Sequence, residues 1–532
     1  MSTKPAPVFR RESLAWSALL VAALAAMYWW WAVGQPVNLP DAPSARIACV
    51  SYAPFRLPGE SPLDASAFIS PERVDADLRA LSQRFDCVRT YSQGQGLSVV
   101  PQIAGRYGMK VLLGIWLGSD RKANAEQIRL GILTARDHPN VVRGVIVGNE
   151  VLLRGDLSSV ALAADLAKVR AAVPEPVTYA DVWEFWLRHP ELAASVDYLT
   201  IHILPYWEDK PVPPERAVEH VAKVYAQVQQ AFPGRRVMIG ETGWPSAGRP
   251  RQAASASVVN EARYLREFLD YAAKADLPYN VIEAFDQPWK RDQEGTAGGY
   301  WGIFDAQARP KFAMQGPVTE DPRWWLGWLA AAAGGGLFLL AGAWRRHRHG
   351  WRDALALGLA GLASGAALAW QFRQMVFACR NLWEWAVSLA ACLLALFTAL
   401  RLARWIAAHL AGATRPFQPG RLRLGWLFAL AYYGLLLIFD GRYRDFPLGL
   451  FLLPCVGYCV AGGLSDPGKR AMPRLEQRFL AAWLPLLGAI VVVQEAGLNP
   501  VAWLWLGLNL LLASSALLDW RSARIRLQSQ QA

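Results

Sequence analysis

The sequence predicts an α/β protein built on a (β/α)8 TIM barrel over residues 45–316. A transmembrane anchor within 1–34 precedes it, and a seven-span helical membrane region over 325–520 follows. Three observations predict this. Short runs of β-formers alternate with longer segments of helical spacing, giving eight such units in about 270 residues, close to the usual size of the barrel. Both flanks hold apolar runs that reach the roughly 20 residues needed to cross a bilayer. The formal net charge of +12 is concentrated beside those runs, for example at 345–349 and 521–526, as membrane topology requires. Such clusters do not make a nucleic-acid footprint, so no nucleic-acid partner is expected. Periodicity by itself favours the barrel only slightly over a doubly wound sheet.

Residues 1–13 are polar and carry Lys4, Arg10 and Arg11, whereas 14–33 are apolar and end in a Trp-rich run. No small-residue cleavage site follows, so the segment reads as an uncleaved anchor with its amino end in the cytoplasm. Residues 34–44, rich in Pro and Asp, read as a linker. Strands are expected at 47–51, 85–90, 111–115, 144–148, 177–180, 198–201, 237–240 and 280–284. Helices are expected between them at 71–84, 124–136, 157–172, 214–231 and 259–274. Pro71 and Pro214 suit first-turn positions.

Two of the strands end abruptly in a carboxylate. Residues 145–150 read VIVGNE, and 237–246 read VMIGETGWPS. A Glu at the carboxyl end of a buried parallel strand is poorly placed for packing and well placed for chemistry. Isolated, such a Glu is as readily explained as a helix amino-terminal cap. A pair from two strands suits a reaction that needs an acid and a nucleophile on one bond.

These motifs resemble glycoside hydrolase family 17, the β-1,3-glucanases and related transglucosylases, over roughly residues 45–316. The resemblance makes the barrel the firm choice. It implies Glu150 as acid/base and Glu241 as nucleophile, with retention through a covalent glycosyl-enzyme and carboxyls roughly 5 Å apart. It also implies sugar-binding roles for Tyr52 after the first strand and for Tyr206 and Trp207 after the sixth. Asn149 can hydrogen-bond a sugar hydroxyl or hold Glu150. His202 can order Tyr206 or touch the sugar, and a buried, hydrogen-bonded core histidine fits equally well. The eighth-strand region, EAFDQPWK at 283–290 followed by GGYWGIF at 298–304, resembles the family's cleft lining. It supplies Glu283, Asp286, Trp289, Lys290 and Trp301, of which one or two can instead form an ordinary ion pair. The family more often has Glu near the position of Asp286. Trp116, Trp183, Trp186 and Trp244 also follow proposed strand ends; about half of these aromatics are expected to stack on sugars and the rest to pack.

The barrel lacks a His/Cys cluster with ligand spacing and a Gly-rich phosphate loop, so its chemistry calls for no metal or organic cofactor. Six cysteines are too few for a disulfide framework. Cys49 and Cys87 fall on predicted neighbouring strands, where a disulfide is open to them in an oxidising compartment.

Seven apolar spans are expected near 325–344, 354–370, 383–400, 424–439, 446–463, 479–494 and 501–518. With the anchor they make eight. The loops holding Arg345, Arg346 and Arg348, then Arg404, Arg415 and Arg421, then Lys469 and Arg470, then Arg521, Arg524 and Arg526 should face the cytoplasm. Both termini would then be cytoplasmic and, in a bacterium, the barrel periplasmic at the inner membrane. Three roles suit the seven spans, namely an anchor, a docking surface for a glucan synthase or a passage for glycan, and the sequence does not choose. The expected activity is cleavage of β-1,3-glucan with transfer to a glucan acceptor, by elongation or β-1,6 branching. The alternatives are a membrane-tethered hydrolase and a non-catalytic glucan-binding or translocation partner.

Overall fold

The computed structural model describes residues 6–343, 350–413 and 416–531; Lys4, Arg345, Arg346, Arg348 and Arg415 lie outside them. The chain divides into two compact units. One comprises Val37–Gly248 and Ala253–Val318, and the other Met1–Pro36, Arg249–Gln252 and Thr319–Ala532.

The first unit contains a seven-stranded parallel sheet whose strands neighbour one another in chain order: β1 (Val50–Ser51), β2 (Cys87–Arg89), β3 (Lys110–Ile115), β4 (Val142–Asn149), β5 (Val177–Val182), β6 (Leu199–His202) and β7 (Val237–Glu241). Each strand is followed by helix. The predicted helices appear as Pro71–Leu81, Arg121–Asp137, Ser159–Arg170, Ala217–Ala231 and Val258–Lys274, and two short ones, Val100–Arg106 and Trp183–Arg188, complete the alternation. Pro71 opens its helix, where Ser70 Oγ accepts from Arg73 N at 3.3 Å and satisfies one of the free first-turn donors.

The strands are buried on both faces, which is why they read as continuous apolar runs. Val111, Leu113, Val145 and Val147 join the large core beneath the helices. The residues between them point the other way. Cys49, Cys87, Leu112, Ile146, Ala180 and Met238 meet in a small cluster on the opposite face, as the two-residue period of a strand demands. Within it Cys49 and Cys87 form a disulfide across 38 residues of chain.

The expected closed eight-stranded barrel is not what forms. The ordered sheet is curled and open, and the strand predicted at 280–284 is absent as a ladder. Its donors scatter instead of zipping to one neighbour. Asn280 N bonds Ile239 O, Val281 N bonds Cys49 O, Ile282 N bonds Thr242 O, Glu283 N bonds Trp301 O and Ala284 N bonds Ser51 O. Only isolated bridges, Val50 with Val281 and Ile239 with Tyr279, link this segment to the edge strands.

Among the described residues of the second unit, seven helices are long and apolar enough to cross a membrane: Arg11–Val33, Trp325–Ala343, Trp351–Ala378, Leu382–Leu410, Gly420–Phe439, Leu475–Gln494 and Pro500–Gln530. The span predicted at 446–463 forms the apolar helix Leu448–Leu464, whose 17 residues fall short of that length. At about 1.5 Å per residue it reaches roughly 26 Å, against a hydrocarbon core of about 30 Å. The expected count of eight is therefore seven by length and composition, with one short apolar helix beside them. Trp325–Ala343 and Trp351–Ala378 touch backbone to backbone. A methyl on Gly334 would lie 2.3 Å from Gly361 O, so glycine is required at that crossing. Arg423 and Asp519, both buried, form an ion pair at 2.6 Å.

Candidate active site

Glu150 and Glu241 come together at the carboxyl end of the sheet. Glu241 is the last residue of β7, and Glu150 follows β4 immediately. Glu150 sits in the left-handed region (φ 52°, ψ 33°), an uncommon conformation for a residue with a side chain. Strain of this kind collects at functional sites. His202, the last residue of β6, bridges the two. An oxygen from each carboxylate and a ring nitrogen of His202 all lie within 4.8 Å of one another. Such a trio resembles a cation site in outline. The Arg89 guanidinium already on Glu241 opposes a divalent ion there more strongly than a singly charged partner.

The two carboxylates have unlike surroundings. Glu150 keeps 24% of its side chain exposed and meets His202 Nδ1 at 2.9 Å. Glu241 is 6% exposed. Its Oε1 accepts from Arg89 Nη1 at 2.9 Å and from the Tyr91 hydroxyl at 2.7 Å. Burial, the largest influence on Glu241, pushes its proton affinity up. The attraction of His202 and Arg89, the Tyr91 hydrogen bond and the charge of Lys290 together outweigh it, and the carboxyl is held below its ordinary range.

Arg89 and Tyr91 are components the sequence reading missed. Arg89 is the last residue of β2, two positions beyond Cys87 and so on the same inner face. It is 1% exposed, donates to Gly240 O and Glu241 from Nη1, and donates from Nη2 to Asn149 Oδ1. One guanidinium thus ties the ends of β4 and β7 together, a use of its rigid fork. Its plane also lies 4.7 Å from the Tyr91 ring centroid. The available signal was the pair of polar residues, Arg89 and Tyr91, closing an otherwise apolar strand.

Glu283 and Lys290 form the ordinary ion pair that was one of the readings, with Nζ 2.9 Å from both carboxylate oxygens. Glu283 is nevertheless pushed up to about 7, chiefly by burial, with Lys290 pulling the other way. Glu294, on the short helix Arg291–Gly298, was also missed. Burial raises it to about 7; Lys290 opposes this, while Glu150 and Glu241 add to it. Its signal was the four-residue spacing from Lys290 on a helix.

The remaining predicted residues divide. Tyr206 is buried and packs edge-on against Trp207, Trp244 and Trp301. Trp207 stacks on Trp301 with centroids 6.2 Å apart. Trp289 is half-buried and donates to Gln287 Oε1 at 2.7 Å. Tyr52, expected beside the carboxylates, is turned away from them: it is buried, with its hydroxyl 3.2 Å from Asp77 Oδ2. Tyr91 on the next strand supplies the phenol at Glu241. Asp286 is likewise drawn elsewhere, accepting from Lys311 Nζ and Gly302 N, each at 3.0 Å; burial pushes it up to about 6. Trp244 is 1% exposed and gives its indole proton to Ser255 O, which is packing. Trp186 is also core, donating to Thr200 O.

Comparison with known proteins follows the same region. A family model described as the BtgE/BtgC glycoside hydrolase domain matches residues 49–302. A glucan 1,3-beta-glucosidase of Arthroderma benhamiae is 26% identical over 265 residues, covering 46% of this chain and 85% of its own length. The glucan 1,3-beta-glucosidase of Saccharomyces cerevisiae is 23% identical over 269 residues, with coverages of 46% and 85%. Among solved structures, a glycoside hydrolase family 17 beta-1,3-glucanosyltransferase from Rhizomucor miehei is 27% identical, covering 50% of this chain and 95% of its own, with a TM-score of 0.44.

Proposed function

We propose that residues 49–302, which match the BtgE/BtgC glycoside hydrolase domain, are an enzyme domain of the glycoside hydrolase family 17 type, and that the chain is a membrane-tethered, retaining β-1,3-glucan-active enzyme that transfers glucosyl units to a glucan acceptor. In this reading 1–34 is the cytoplasmic tip and anchor, 45–316 the catalytic domain and 325–520 the membrane domain. The observation that carries it is the approach of Glu150 and Glu241 within 4.8 Å in unlike environments. A separation of about 5–5.5 Å between carboxyl groups suits a double displacement and leaves no room for the water of an inverting mechanism.

Glu241 is the nucleophile. Arg89, Tyr91 and His202 favour its ionised form, so it is a carboxylate at neutral pH. Its oxygen forms the bond to the anomeric carbon as the glycosidic oxygen leaves. Glu150, nearer the surface, gives its proton to that leaving oxygen. It then takes the proton of the incoming hydroxyl, which attacks the same carbon and releases Glu241. Asn149, tied to Arg89, and Trp207, backed by the buried Trp301, are the proposed sugar contacts.

Water and a sugar hydroxyl compete for the glycosyl-enzyme, and acceptor binding decides the outcome. The half-buried Trp207 favours a held acceptor, as does tethering by apolar helices on both sides of the domain. The test is to incubate the full chain in detergent with labelled laminari-oligosaccharides and follow product length and linkage. Products longer than the substrate support transfer. Only shorter ones, across a wide concentration range, leave a tethered hydrolase.

We further propose that the short apolar helix Leu448–Leu464 crosses as an eighth span, that both termini are therefore cytoplasmic with the catalytic domain on the other side of the membrane, and that a glucan synthase is a partner of the membrane helices. A periplasm-active reporter fused after Ala532 should be silent and one after Pro317 active. Activity at the tail reverses this topology.

A further inference from the structure

His202 stands between the two carboxylates, and the proposed double displacement uses it only as one of the groups that favour the ionised form of Glu241. Its side chain is fully buried. Nδ1 lies 2.9 Å from Glu150 Oε1, and Nε2 lies 3.7 Å from Glu241 Oε1. Nε2 is buried without a hydrogen-bond partner among the described residues. A buried ring nitrogen is seldom left so. The sheet is shaped to bring it there. The register between β6 and β7 shifts after Ile201, so that His202 pairs with Glu241 and Gly240 is skipped. A methyl on Gly240 would lie 2.4 Å from Thr200 Cγ2, and 3.1 and 3.3 Å from His202 Cδ2 and Nε2, so glycine is required first by Thr200 and keeps the ring uncrowded as well.

We propose that His202 couples the two carboxylates as an imidazolium, hydrogen-bonding Glu150 through Nδ1 and facing Glu241 with Nε2 at 3.7 Å, so that one cation serves whichever carboxylate is charged. The inference rests on the catalytic reading above and deepens it. When the Glu241 oxygen bonds the anomeric carbon, it gives up its negative charge to the new ester. Glu150, having lost its proton to the leaving oxygen, becomes the anion. The second displacement moves the charge back: the acceptor's proton passes to Glu150 as its oxygen replaces Glu241 on carbon. The ring exchanges no proton in either step. It keeps a positive charge within reach of both ends of a negative charge that shuttles across less than 5 Å, adding to Arg89 when the charge is on Glu241 and serving Glu150 when the charge is there.

Other charged groups face the ring as well. Asp181 approaches from β5, with its carboxylate held by the Tyr179 hydroxyl. Arg89 and Lys290 share Glu241 with the ring, and Glu283 and Glu294 sit behind Lys290. None of these bridges both Glu150 and Glu241 by the contacts described, so none replaces the ring.

A cation beside a carboxylate favours its ionised form. Removing the cation from between two carboxylates raises the proton affinity of both. Glu241 must be ionised for the first step, and Glu150 must hold its proton. Both limbs of the kcat/KM profile should therefore move to higher pH in His202→Gln and His202→Asn, by about one unit or more. A ring that merely packs would lower the rate without moving the limbs.

The experiment is the pH dependence of kcat/KM for the full chain in detergent, on an aryl β-laminaribioside, for the native protein and both variants. Thermal unfolding checks that each variant is folded, and Glu241→Gln serves as the inactive control. Limbs that move together support the coupling; limbs that stay in place in a folded variant overturn it while leaving the glycosidase reading intact. Loss of the dependence on Glu241 would overturn that reading instead. Should neither variant fold, the ring nitrogens of native His202 are followed by 15N NMR at pH 7. Two protonated nitrogens support the proposal, and one unprotonated nitrogen overturns it.

Discussion

Arg89 Nη1 lies 2.9 Å from Glu241 Oε1, and the two side chains are 1% and 6% exposed. The same guanidinium holds Asn149, so one residue positions the ends of two strands. Removing one partner of a buried pair leaves the other uncompensated, at a cost of roughly 3–5 kcal/mol. Arg89→Met should lose stability on that scale and nearly all turnover. Arg89→Lys keeps the charge without the fork. It should recover most of the stability and remain about 100-fold down in kcat, because Asn149 and Glu241 are no longer fixed together. Unfolding midpoints and kcat for the two variants check this. A Met variant as stable as the native protein would show that the pair does not hold the site.

Stability should fall as pH rises from about 5 to 8. Burial raises Glu283 to about 7 and both Asp181 and Asp286 to about 6. Their unfolded values are 4.5, 3.8 and 3.8. Between those limits the folded chain binds more protons than the unfolded one, so the slope of stability with pH is negative. The contribution is complete below the unfolded values and is lost as pH rises through the folded ones. Glu241 works in the opposite sense, but its lowered value places that change below 4.5. Lys290 and Lys311 are raised from 10.5, so their contribution is constant across this window. Thermal unfolding of the full chain should show a lower midpoint at pH 8 than at pH 5.5. A flat or rising midpoint would mean that these carboxyls stay ionised in the fold.

The two strand-end carboxylates were legible because a buried parallel strand is apolar throughout, so a terminal Glu stands out against it. Arg89 was not, because a three-residue strand gives too little apolar background to make its charge conspicuous. The eighth strand misled for the opposite reason. Asn280 to Ala284 have strand-like composition, yet their five donors go to Ile239, Cys49, Thr242, Trp301 and Ser51, a pattern set by tertiary contacts. Aromatics after strand ends were visible as a group. Which of them pack was not: Trp244 gives its indole proton to a carbonyl eleven residues on, whereas Trp207 meets Trp301 from another part of the chain. Tyr52 and Tyr91 both follow strands, and only the direction of each side chain separates Asp77 from Glu241 as its partner.

The division of roles between Glu150 and Glu241 is tested most directly by chemical rescue. Glu150→Ala should lose about 10²–10⁴-fold on substrates that need leaving-group protonation. On an aryl β-glycoside with a good leaving group it should still form the glycosyl-enzyme, because Glu241 is intact. Azide should then restore turnover of the full-chain variant and yield the β-glycosyl azide, since attack on an α-linked ester inverts it once more. Glu241→Ala should yield no β-azide. Failure of azide to rescue Glu150→Ala, or an α-azide from that variant, would contradict the assignment of Glu150 as acid/base and Glu241 as nucleophile.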